Sequence, residues 1–361
     1  MSTPPAYRRT SPRLARPHPM TAQGELLKQV QAAGLLDRCR TFYVVLTVAL
    51  LVGVAISIAS MLVLGDAWAQ LVLAAALGVL FAQLGFVAHE AAHREIFESG
   101  RANDVFGRLI ADLVVGISFS GWKAGHNRHH ANPNVVAKDP SVNRGVFAFR
   151  PEDVADATGL YASYLRRQGI LYFPILLLAG ASLYIESFQT VFGKGRLERR
   201  RTEASLLLMR TAIYLIVVFR SMSVSVALGF IAVQMLVFGL CTASAFITNH
   251  IGMPILPKDA RIDYLRKQVL TSRNIRGGWL TTALMGGLNF QIEHHLFPSM
   301  PRPHLRAASR LVRGYCESHN MPYTETGLFE AYRLVGQHMN EVGKVAGRGF
   351  SQCPTSDSLS R

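Results

Sequence analysis

The sequence is poor in charged residues and in cysteine. Only 17% of its 361 residues are Asp, Glu, Lys or Arg, against roughly 25% in soluble domains. The four cysteines are scattered without C-x-x-C spacing, which gives no support for a disulfide framework, a structural zinc or an iron–sulfur cluster. No repeat of fixed period is present, so a solenoid is not expected. Low charge and a mean hydropathy of +0.21 favour a membrane-embedded chain.

Two long segments contain no charged residue at all, residues 41 to 65 and residues 67 to 88. Each is long enough to cross a hydrocarbon layer of about 30 Å, which takes about 20 helical residues. Only Asp66 separates them, which predicts a tight helical hairpin. A buried helix pair in a soluble protein is the alternative, but such long charge-free runs are rare in soluble cores.

Three further apolar stretches lie downstream, at 170 to 192, 204 to 220 and 223 to 248. The basic residues at 194 to 201 (KGRLERRR) should stay in the cytoplasm by the positive-inside rule. This favours 204 to 220 with 223 to 248 as the second spanning hairpin, and places 170 to 192 in the interface. The competing assignment makes 170 to 192 and 223 to 248 the spans.

These segments predict an all-α integral membrane protein with four transmembrane helices in two hairpins. Two cytoplasmic insertions, at 89 to about 169 and at 249 to about 345, are together called the cap. Residues 1 to 40 are basic and lack a signal peptide, so we expect a largely disordered cytoplasmic tail there. The membrane domain should cover residues 41 to 345, and residues 346 to 361 should form a second disordered tail. Both termini and the cap are expected on the cytoplasmic side, with a bacterial cytoplasmic membrane as the location.

The net charge of +15 has two possible sources. Nucleic-acid binding would require a recognition motif or a stacking platform, and the sequence shows neither. Basic cytoplasmic loops beside anionic lipid explain the charge more simply. We therefore expect the lipid bilayer, and no nucleic acid, as a partner.

Seven of the twelve histidines fall into three short patterns. HEAAH contributes His89 and His93, GHNRHH contributes His126, His129 and His130, and QIEHH contributes His294 and His295, with Gln291 in the first place. In a helix, residues four apart share one face, whereas adjacent residues diverge by about 100°. An adjacent pair such as His129 and His130 can therefore serve two different metal ions.

An eighth candidate is His250, in FITNHIG at the end of the last apolar run. An ionisable residue at such a depth is costly and points to function. Seven or eight imidazoles without cysteine exceed one tetrahedral zinc and fit two metal ions. Imidazole suits Fe, Zn, Cu and Ni alike. The setting beside apolar helices favours iron and O2 chemistry on a lipid chain.

A different class of enzyme also fits the first pattern. His89, Glu90 and His93 satisfy H-E-x-x-H, in which two histidines bind zinc and the glutamate is the general base of a metalloprotease. An intramembrane zinc protease would need a further ligand, usually an aspartate on another membrane helix. The apolar segments are nearly free of aspartate, and two histidine patterns would stay unexplained. Metal content would distinguish the two classes: two irons per chain for a di-iron enzyme, or one zinc per chain for a zinc protease.

The segments HEAAH, WKAGHNRHHANPN and QIEHHLFPSMPR resemble the three histidine boxes of the membrane fatty acid desaturases. The third box, with glutamine in first place, is similar to the acyl-lipid, front-end (delta-6-like) and linoleoyl-CoA branch. The likeness covers roughly residues 41 to 340. It implies a four-helix membrane bundle with a helical cytosolic cap that holds a di-iron centre. The implied iron ligands are His89, His93, His126, His129, His130, His294 and His295, with His250 as an additional one. Gln291 would be a weak amide-oxygen ligand, or would hydrogen-bond a water or an imidazole.

The resemblance implies O2-dependent desaturation of a fatty acyl chain, carried by CoA or by a lipid, with formation of a cis double bond. Related hydroxylases and ketolases share the histidine pattern and stay open as alternatives. No HPGG haem motif of a fused cytochrome b5 is found in the sequence. Electrons are therefore expected from a separate ferredoxin or cytochrome, supplied by an NAD(P)H reductase.

Five further residues are expected to support the site. Glu90, Asn127, Asp139 and Glu293 are candidates for orienting the ligating imidazoles through hydrogen bonds, or else are solvated or capping residues. Trp122 is expected either to line the acyl path or to anchor the chain at the membrane interface.

Overall fold

Helices make up nearly all the regular structure of residues 19 to 142 and 145 to 347, which the computed structural model describes. The first part of the chain holds α1 (Pro19–Ala32), α2 (Arg40–Leu64), α3 (Gln70–Ala92), α4 (Gly100–Arg108), α5 (Phe119–Ala131), α6 (Gly159–Leu165), α7 (Gln168–Leu176) and α8 (Ala179–Phe192). The second part holds α9 (Arg200–Ser221), α10 (Val224–His250), α11 (Tyr264–Leu270), β1 (Asn274–Arg276), α12 (Trp279–Leu284), α13 (Gln291–Leu296), α14 (Leu305–Ser318), β2 (Glu325–Gly327) and α15 (Leu328–Lys344).

Within the described residues, four helices have the length and hydropathy of a membrane span: α2, α3, α9 and α10. They coincide with the segments that the favoured assignment takes as the two hairpins. The stretch at 170 to 192 is instead broken into α7 and α8, which meet at 72°. A second bent pair, Gly100–Val115 with Phe119–Ala131, turns by 115°. By length and composition alone, the number of spans rises to six if each bent pair counts as one.

Two glycines allow α10 to approach its neighbours closely. A Cβ atom at Gly78 of α3 would lie 2.8 Å from the carbonyl oxygen of Gln234, and one at Gly180 of α8 would overlap the backbone of α10 at Met235. Small residues at such crossings let helix backbones pack without a gap. The result is that the ends of α3 and α10 that carry His89 and His250 lie side by side.

The turns of the two hairpins are joined at the other end of the bundle. Asp66, between α2 and α3, accepts hydrogen bonds from the backbone N–H of Ser223 at 2.8 Å and from its hydroxyl at 2.7 Å. Ser223 precedes α10 and is its N-cap residue. The carboxylate therefore fixes one hairpin against the other, far from the histidines.

A π-helical segment, Leu109–Val115, redirects the chain before α5. It ends at Gly116, whose φ of +98° is a conformation that glycine adopts without strain. The first N–H groups of α5 then meet buried acids: Phe119 N donates to Asp112 at 2.8 Å and Ser120 N donates to Glu203 at 3.0 Å. Carboxylates at a helix N-terminus stabilise it, so α5 starts at a fixed point and turns back across the ends of α3 and α10.

The cap packs through its own apolar cluster. Leu26 and Val30 of α1 are buried against Val312 and Tyr315 of α14. The prediction of a largely disordered tail over residues 1 to 40 is therefore wrong for residues 19 to 32, because an amphipathic helix there buries its apolar side. Residues 1 to 18 and 348 to 361 of the predicted tails lie outside the described residues. A short parallel pair, β1 with β2, ties α15 to the segment that precedes α13.

Candidate metal centre

The eight predicted histidines come together at the ends of α3, α5, α10 and α13, in two groups. The first group has five members, with one ring nitrogen of each lying within 4.8 Å of all the others. These are His89, His93, His126, His130 and His294. The second group satisfies the same distance limit with His129, His250 and His295. The structure thus assembles every predicted histidine, although their roles as ligands stay a prediction.

Adjacent histidines divide between the groups, as helical geometry predicts. On α5, His130 belongs to the first group and His129 to the second, and their ring planes are 86° apart. On α13, His294 belongs to the first group and His295 to the second, with planes 88° apart. Each helix therefore supplies both groups at once, which holds the two groups side by side.

The ring nitrogens of the first group are arranged as metal ligands rather than as hydrogen-bond partners. His126 Nε2 lies 3.0 Å from the Nε2 of His89, 2.9 Å from that of His93 and 3.0 Å from that of His130. A ring nitrogen carries one hydrogen or one lone pair, so it makes one hydrogen bond and not three. Two nitrogens bound at right angles to one ion at about 2.0 to 2.1 Å would lie about 2.9 Å apart.

Unpartnered nitrogens point to the same conclusion. His294 Nε2 and His295 Nε2 are buried and have no hydrogen-bond partner among the described residues. In the second group, His129 Nε2 and His250 Nε2 face each other at 3.3 Å. A buried polar atom without a partner is costly, and a cation among the converging lone pairs would remove that cost. The residues present therefore fit two metal ions with imidazole ligands.

The second group has its outer nitrogens fixed by hydrogen bonds. His129 Nδ1 lies 2.8 Å from Asp139 Oδ2, His250 Nδ1 donates to the Thr271 carbonyl at 2.9 Å, and His295 Nδ1 lies 3.0 Å from Gln268 Oε1. A hydrogen bond at Nδ1 sets the tautomer and leaves Nε2 free for a metal. The Nε2 atoms of all three rings are thus lone-pair acceptors on the inner side, and that of His250 also faces the Gln291 amide at 3.0 Å.

Burial keeps five imidazoles of the site neutral. Burial, together with the nearby histidines, lowers the pKa of His126, His130, His294 and His295 well below the usual value. Burial and then Lys123 lower the pKa of His93 to about 3. Because only neutral imidazole binds metal, these five rings are in the metal-binding form at neutral pH.

Asp139 is the one predicted supporting acid that contacts a ligand. Burial alone would raise its pKa, but hydrogen bonds from His129 and from the backbone N–H groups of Ser141 and Asn134 lower it below the usual range. The carboxylate is fully buried. It therefore stays ionised and strengthens His129 as an electron-pair donor.

The structure corrects the roles of the other three supporting residues. Glu90 pairs with Arg302 through both carboxylate oxygens, at 2.5 and 2.9 Å. Glu293 accepts hydrogen bonds from Asn274 and Tyr323. Within the described residues, neither carboxylate hydrogen-bonds an imidazole, because each is held by the partners just named. Asn127 is exposed on α5, and its side chain makes no hydrogen bond in the described part of the chain.

The pairing of Glu90 also bears on the zinc protease alternative. A general base needs a free carboxylate beside the metal-bound water, and both oxygens of Glu90 are occupied by Arg302. His89 and His93 share their group with three further histidines. The H-E-x-x-H pattern is therefore part of a larger ligand set.

Gln291 lies at the second group with a defined amide orientation. Asn249 Nδ2 lies 2.7 Å from the Ala245 carbonyl and 2.9 Å from the Leu288 carbonyl, so it must be the donor toward Gln291 Oε1 at 3.0 Å. Gln291 Nε2 then faces His250 Nε2 at 3.0 Å. In this orientation the amide presents an N–H to the group, which fits the predicted hydrogen-bonding role better than the predicted oxygen ligand.

Trp122 lies between the first group and an apolar cavity. Its indole stacks on His126 with centroids 4.4 Å apart and planes at 19°, and lies 5.4 Å from the His89 ring. It lines both the cavity of about 570 Å³ that reaches His129 and His250 and the cavity of about 300 Å³ that reaches His89. This position fits the predicted role in lining an acyl path.

Two contributors were missed by sequence reasoning. Gln268 of α11 accepts a hydrogen bond from His295 and donates one from Nε2 to the His130 carbonyl at 2.9 Å. It therefore joins α13 to α5 at the two histidine pairs. No motif marks it. Arg302 is the last residue of the third box, QIEHHLFPSMPR. Its partner Glu90 is 212 positions away, and spacing along the chain does not reveal such a pair.

The structure thus defines a membrane-embedded helical protein with two histidine groups that could hold metal beside an apolar cavity. The model of the fatty acid desaturase family matches residues 66–327. Since this is most of the sequence, the chain belongs to the fatty acid desaturase family. The resemblance drawn from the three boxes is confirmed.

Individual relatives agree with this assignment. The chain is 31% identical to the Delta(8)-fatty-acid desaturase of Euglena gracilis over 263 residues, which cover 68% of this chain and 61% of the relative. It is 27% identical to the Delta(6)-fatty-acid desaturase fat-3 of Caenorhabditis elegans over 283 residues (74% and 63%). It is also 27% identical to the Acyl-lipid (9-3)-desaturase of Physcomitrium patens over 292 residues (77% and 54%). The matched region spans about three-fifths of the length of these relatives or less.

Proposed function

We propose that this protein is an O2-dependent fatty acyl desaturase that introduces a cis double bond at a di-iron centre. The observation that carries the proposal is the contact between the two histidine groups and the wall of a continuous apolar cavity. His89 lines the membrane side of that cavity, and His126, His129 and His250 line its cytosolic side. Family membership supports fatty acyl chains as the substrate class.

The cavity has the shape that an acyl chain requires. Its two parts share Trp122, Leu183 and Phe246 in their walls. The deeper part runs between α3, α8 and α10 and is lined mostly by apolar side chains. The upper part adjoins an open vestibule of about 730 Å³ through Phe149 and Ile255. An acyl tail would enter from the vestibule, pass the histidines and end between the membrane helices.

The balanced reaction removes one hydrogen from each of two adjacent methylenes. One –CH2–CH2– unit, O2, two electrons and two protons give –CH=CH– and two water molecules. Such C–H bonds have no acidic hydrogen, so acid and base side chains alone do not start the reaction. Two bound irons would supply O2 reduction and hydrogen abstraction.

The protein's own residues hold the reacting centre in place. Asp139, Gln268 and the Thr271 carbonyl orient the imidazoles of the second group. Trp122 and Phe246 form the apolar wall beside His126 and exclude water from it. Gln291 directs an amide N–H toward the second group, where it would hydrogen-bond an oxygen-containing ligand or water. The path of the acyl chain past these walls would decide which carbons react.

The distribution of charge supports the proposed membrane orientation, electron donor and acyl carrier. With four spans, both termini lie on the same side of the membrane. The basic segment 194–201 favours the cytoplasm as that side by the positive-inside rule. A bacterial cytoplasmic membrane is the proposed location. A separate acidic ferredoxin or cytochrome, reduced by an NAD(P)H reductase, would supply electrons and find a basic surface to dock on. Arg150 and Lys258 line the vestibule and would face the anionic carrier of the acyl chain, whether CoA or a lipid.

Expression of the full chain in a host without the activity tests the proposal. Total fatty acids are converted to methyl esters and analysed by gas chromatography and mass spectrometry. We expect a new monoene or diene with the wild-type chain and with His319→Ala, a histidine far from both groups. We expect none with His129→Ala or His294→Ala.

Other outcomes contradict the proposal. A hydroxy or keto acid in place of an alkene would assign the chain to the hydroxylases or ketolases. The same new lipid in both ligand variants would remove the histidine groups from the reaction.

A further inference from the structure

A second polar site lies apart from the histidines, at the end of α3. It is a pocket of about 290 Å³ formed by the turn after α3, the first turns of α4 and the residues before α9. It shares no lining residue with the acyl cavity. Its charged lining residues are Arg94, Arg101, Asp104, Arg108, Glu198 and Arg199.

The charges of this pocket do not balance. Asp104 is neutralised by Lys123, and Arg108 by Glu203. Within the described residues, no side-chain ion pair or hydrogen bond is made by Arg94, Arg101 or Arg199, and Glu198 is the remaining acid among the lining residues. Three guanidinium groups against one carboxylate leave a net positive pocket.

The backbone holds two of these arginines in an unusual conformation. Arg94 has φ of +61° and Arg199 has φ of +48°, in the left-handed region that side chains other than glycine rarely adopt. Such conformations persist where the surrounding structure enforces them, and they cluster at ligand sites. The guanidinium of Arg94 lies against Gly100, at ordinary van der Waals distance (3.4 Å) from the position that a Cβ would take there.

The position of the pocket decides which anion fits. It lies where the spans α3 and α9 meet the predicted cytoplasmic surface. Directly beside it, Val105 is 47% exposed and Leu109 is 45% exposed, so an apolar strip runs from the arginines toward the bilayer. A free inorganic anion would make no contact with that strip. A phospholipid has a phosphate for the arginines and an acyl chain for the strip.

We propose that this pocket binds the phosphate of an anionic phospholipid of the cytoplasmic leaflet. Planar guanidinium groups match phosphate oxygens in pairs. The bound lipid would link α4 to the start of α9. Arg108 and Glu203 connect the same place to α5, because Glu203 accepts from Ser118 Oγ at 2.6 Å and from Ser120 N at 3.0 Å. The lipid would thus stabilise the start of the helix that carries His126, His129 and His130.

Thermal unfolding of the purified full chain in a neutral detergent tests the proposal without any measurement of activity. Phosphatidylglycerol, phosphatidylcholine and inorganic phosphate are added in separate arms. The test variant is Arg101→Ala with Arg199→Gly, in which glycine also relieves the left-handed φ. The control is Arg196→Ala with Arg201→Ala, which removes the same charge from the same part of the chain at two positions that do not line the pocket.

We expect phosphatidylglycerol, and neither of the other two additives, to raise the unfolding midpoint of the wild type and the control. The test variant should need at least ~10-fold more phosphatidylglycerol for the same shift. Native mass spectrometry should show one retained phosphatidylglycerol on the wild type and none on the test variant. Should the double variant fail to fold, Arg101→Ala alone gives the same comparison.

Three results would overturn the proposal. Equal responses of test and control variants would mean a general attraction to basic surface. An equal shift with inorganic phosphate would make this a free-anion site. An unchanged response to lipid, together with weaker electron transfer from an acidic carrier protein in the test variant, would make it a protein-docking surface.

Discussion

Asp139 Oδ2 lies 2.8 Å from His129 Nδ1, and the same carboxylate accepts the backbone N–H groups of Asn134 and Ser141 at 2.8 Å each. The loop after α5 therefore fixes the acid, and the acid fixes the imidazole. Because Nδ1 is held, His129 directs Nε2 toward His250. The orientation of one ligand is thus set by a residue ten positions along the chain.

Asp139→Asn should weaken the second metal group while leaving the first intact. The amide keeps the shape but loses the charge that strengthens His129 as a donor, and loss of such a partner typically costs 10–100-fold in metal affinity. Metal content per chain is measured after equilibration with graded chelator. Asn127→Ala, at an exposed position on α5, should behave as the wild type. Equal metal retention in the two variants would show that Asp139 does not support metal binding by His129.

The Glu90–Arg302 pair should be one of the strongest contributors to stability. Both partners are almost fully buried, and they join α3 to the segment after α13. Removing one partner of a buried pair leaves an unpaired charge and costs about 3–5 kcal/mol. Arg302→Gln should therefore lower the free energy of unfolding sharply, and adding Glu90→Gln should recover part of the loss.

The surface pair Arg40–Glu98 provides the control for this measurement. Its side chains are 55% and 80% exposed, so Arg40→Gln should change the unfolding midpoint little. If Arg302→Gln and Arg40→Gln shift the midpoint equally, the buried pair does not join the first and third boxes as described.

Gly85 offers a direct way to shorten the acyl cavity. It lines the membrane part of the cavity, and a Cβ there would meet no atom within 4 Å. Gly85→Phe should fill that space, so long acyl chains should lose activity more than short ones, with no loss of metal. Val72→Phe, at a position 72% exposed on the same helix, is the matched control. An unchanged chain-length preference in Gly85→Phe would place the acyl tail elsewhere.

Stability of the metal-free protein should fall as the pH is lowered. The pKa of His93 is about 3 in the folded protein because of burial and Lys123, whereas an unfolded histidine titrates near 6.5. Below pH 6.5 the unfolded chain binds a proton that the folded chain does not, so the free energy of unfolding decreases from about pH 6.5 down to about pH 3. Above pH 6.5 this contribution is constant.

Thermal unfolding of the metal-free protein between pH 4 and pH 8 measures this dependence. The midpoint should be level above pH 6.5 and should decline below it. His93→Gln should make the decline less steep, since the titrating group is gone. A midpoint that stays level down to pH 4 in the wild type would contradict the buried, neutral state of these imidazoles.

Much of the site was predictable because helical spacing decides which face a residue occupies. The division of His129 from His130 and of His294 from His295 follows from the 100° step between neighbours. His250 was predictable from its depth at the end of an apolar run. The choice of 204–220 as a candidate span followed from the basic residues before it.

The partners of these residues were not predictable, because they arise from tertiary contacts. Glu90 and Glu293 lie beside ligands in sequence, yet they point outward to Arg302 and Tyr323. Gln268 lies in no recognisable motif, and it reaches His295 only because α11 packs on α13. The helix at residues 19 to 32 was missed because the basic composition of the first 40 residues outweighed its short apolar stripe.

The metal content of the purified protein tests the central claim most directly. The account predicts two irons per chain in the wild type and in His319→Ala. His295→Ala leaves the second group with two imidazoles and should retain about one iron per chain, whereas its first group stays complete. One zinc per chain in the wild type, or two irons retained in His295→Ala, would contradict the division of eight histidines into two metal sites.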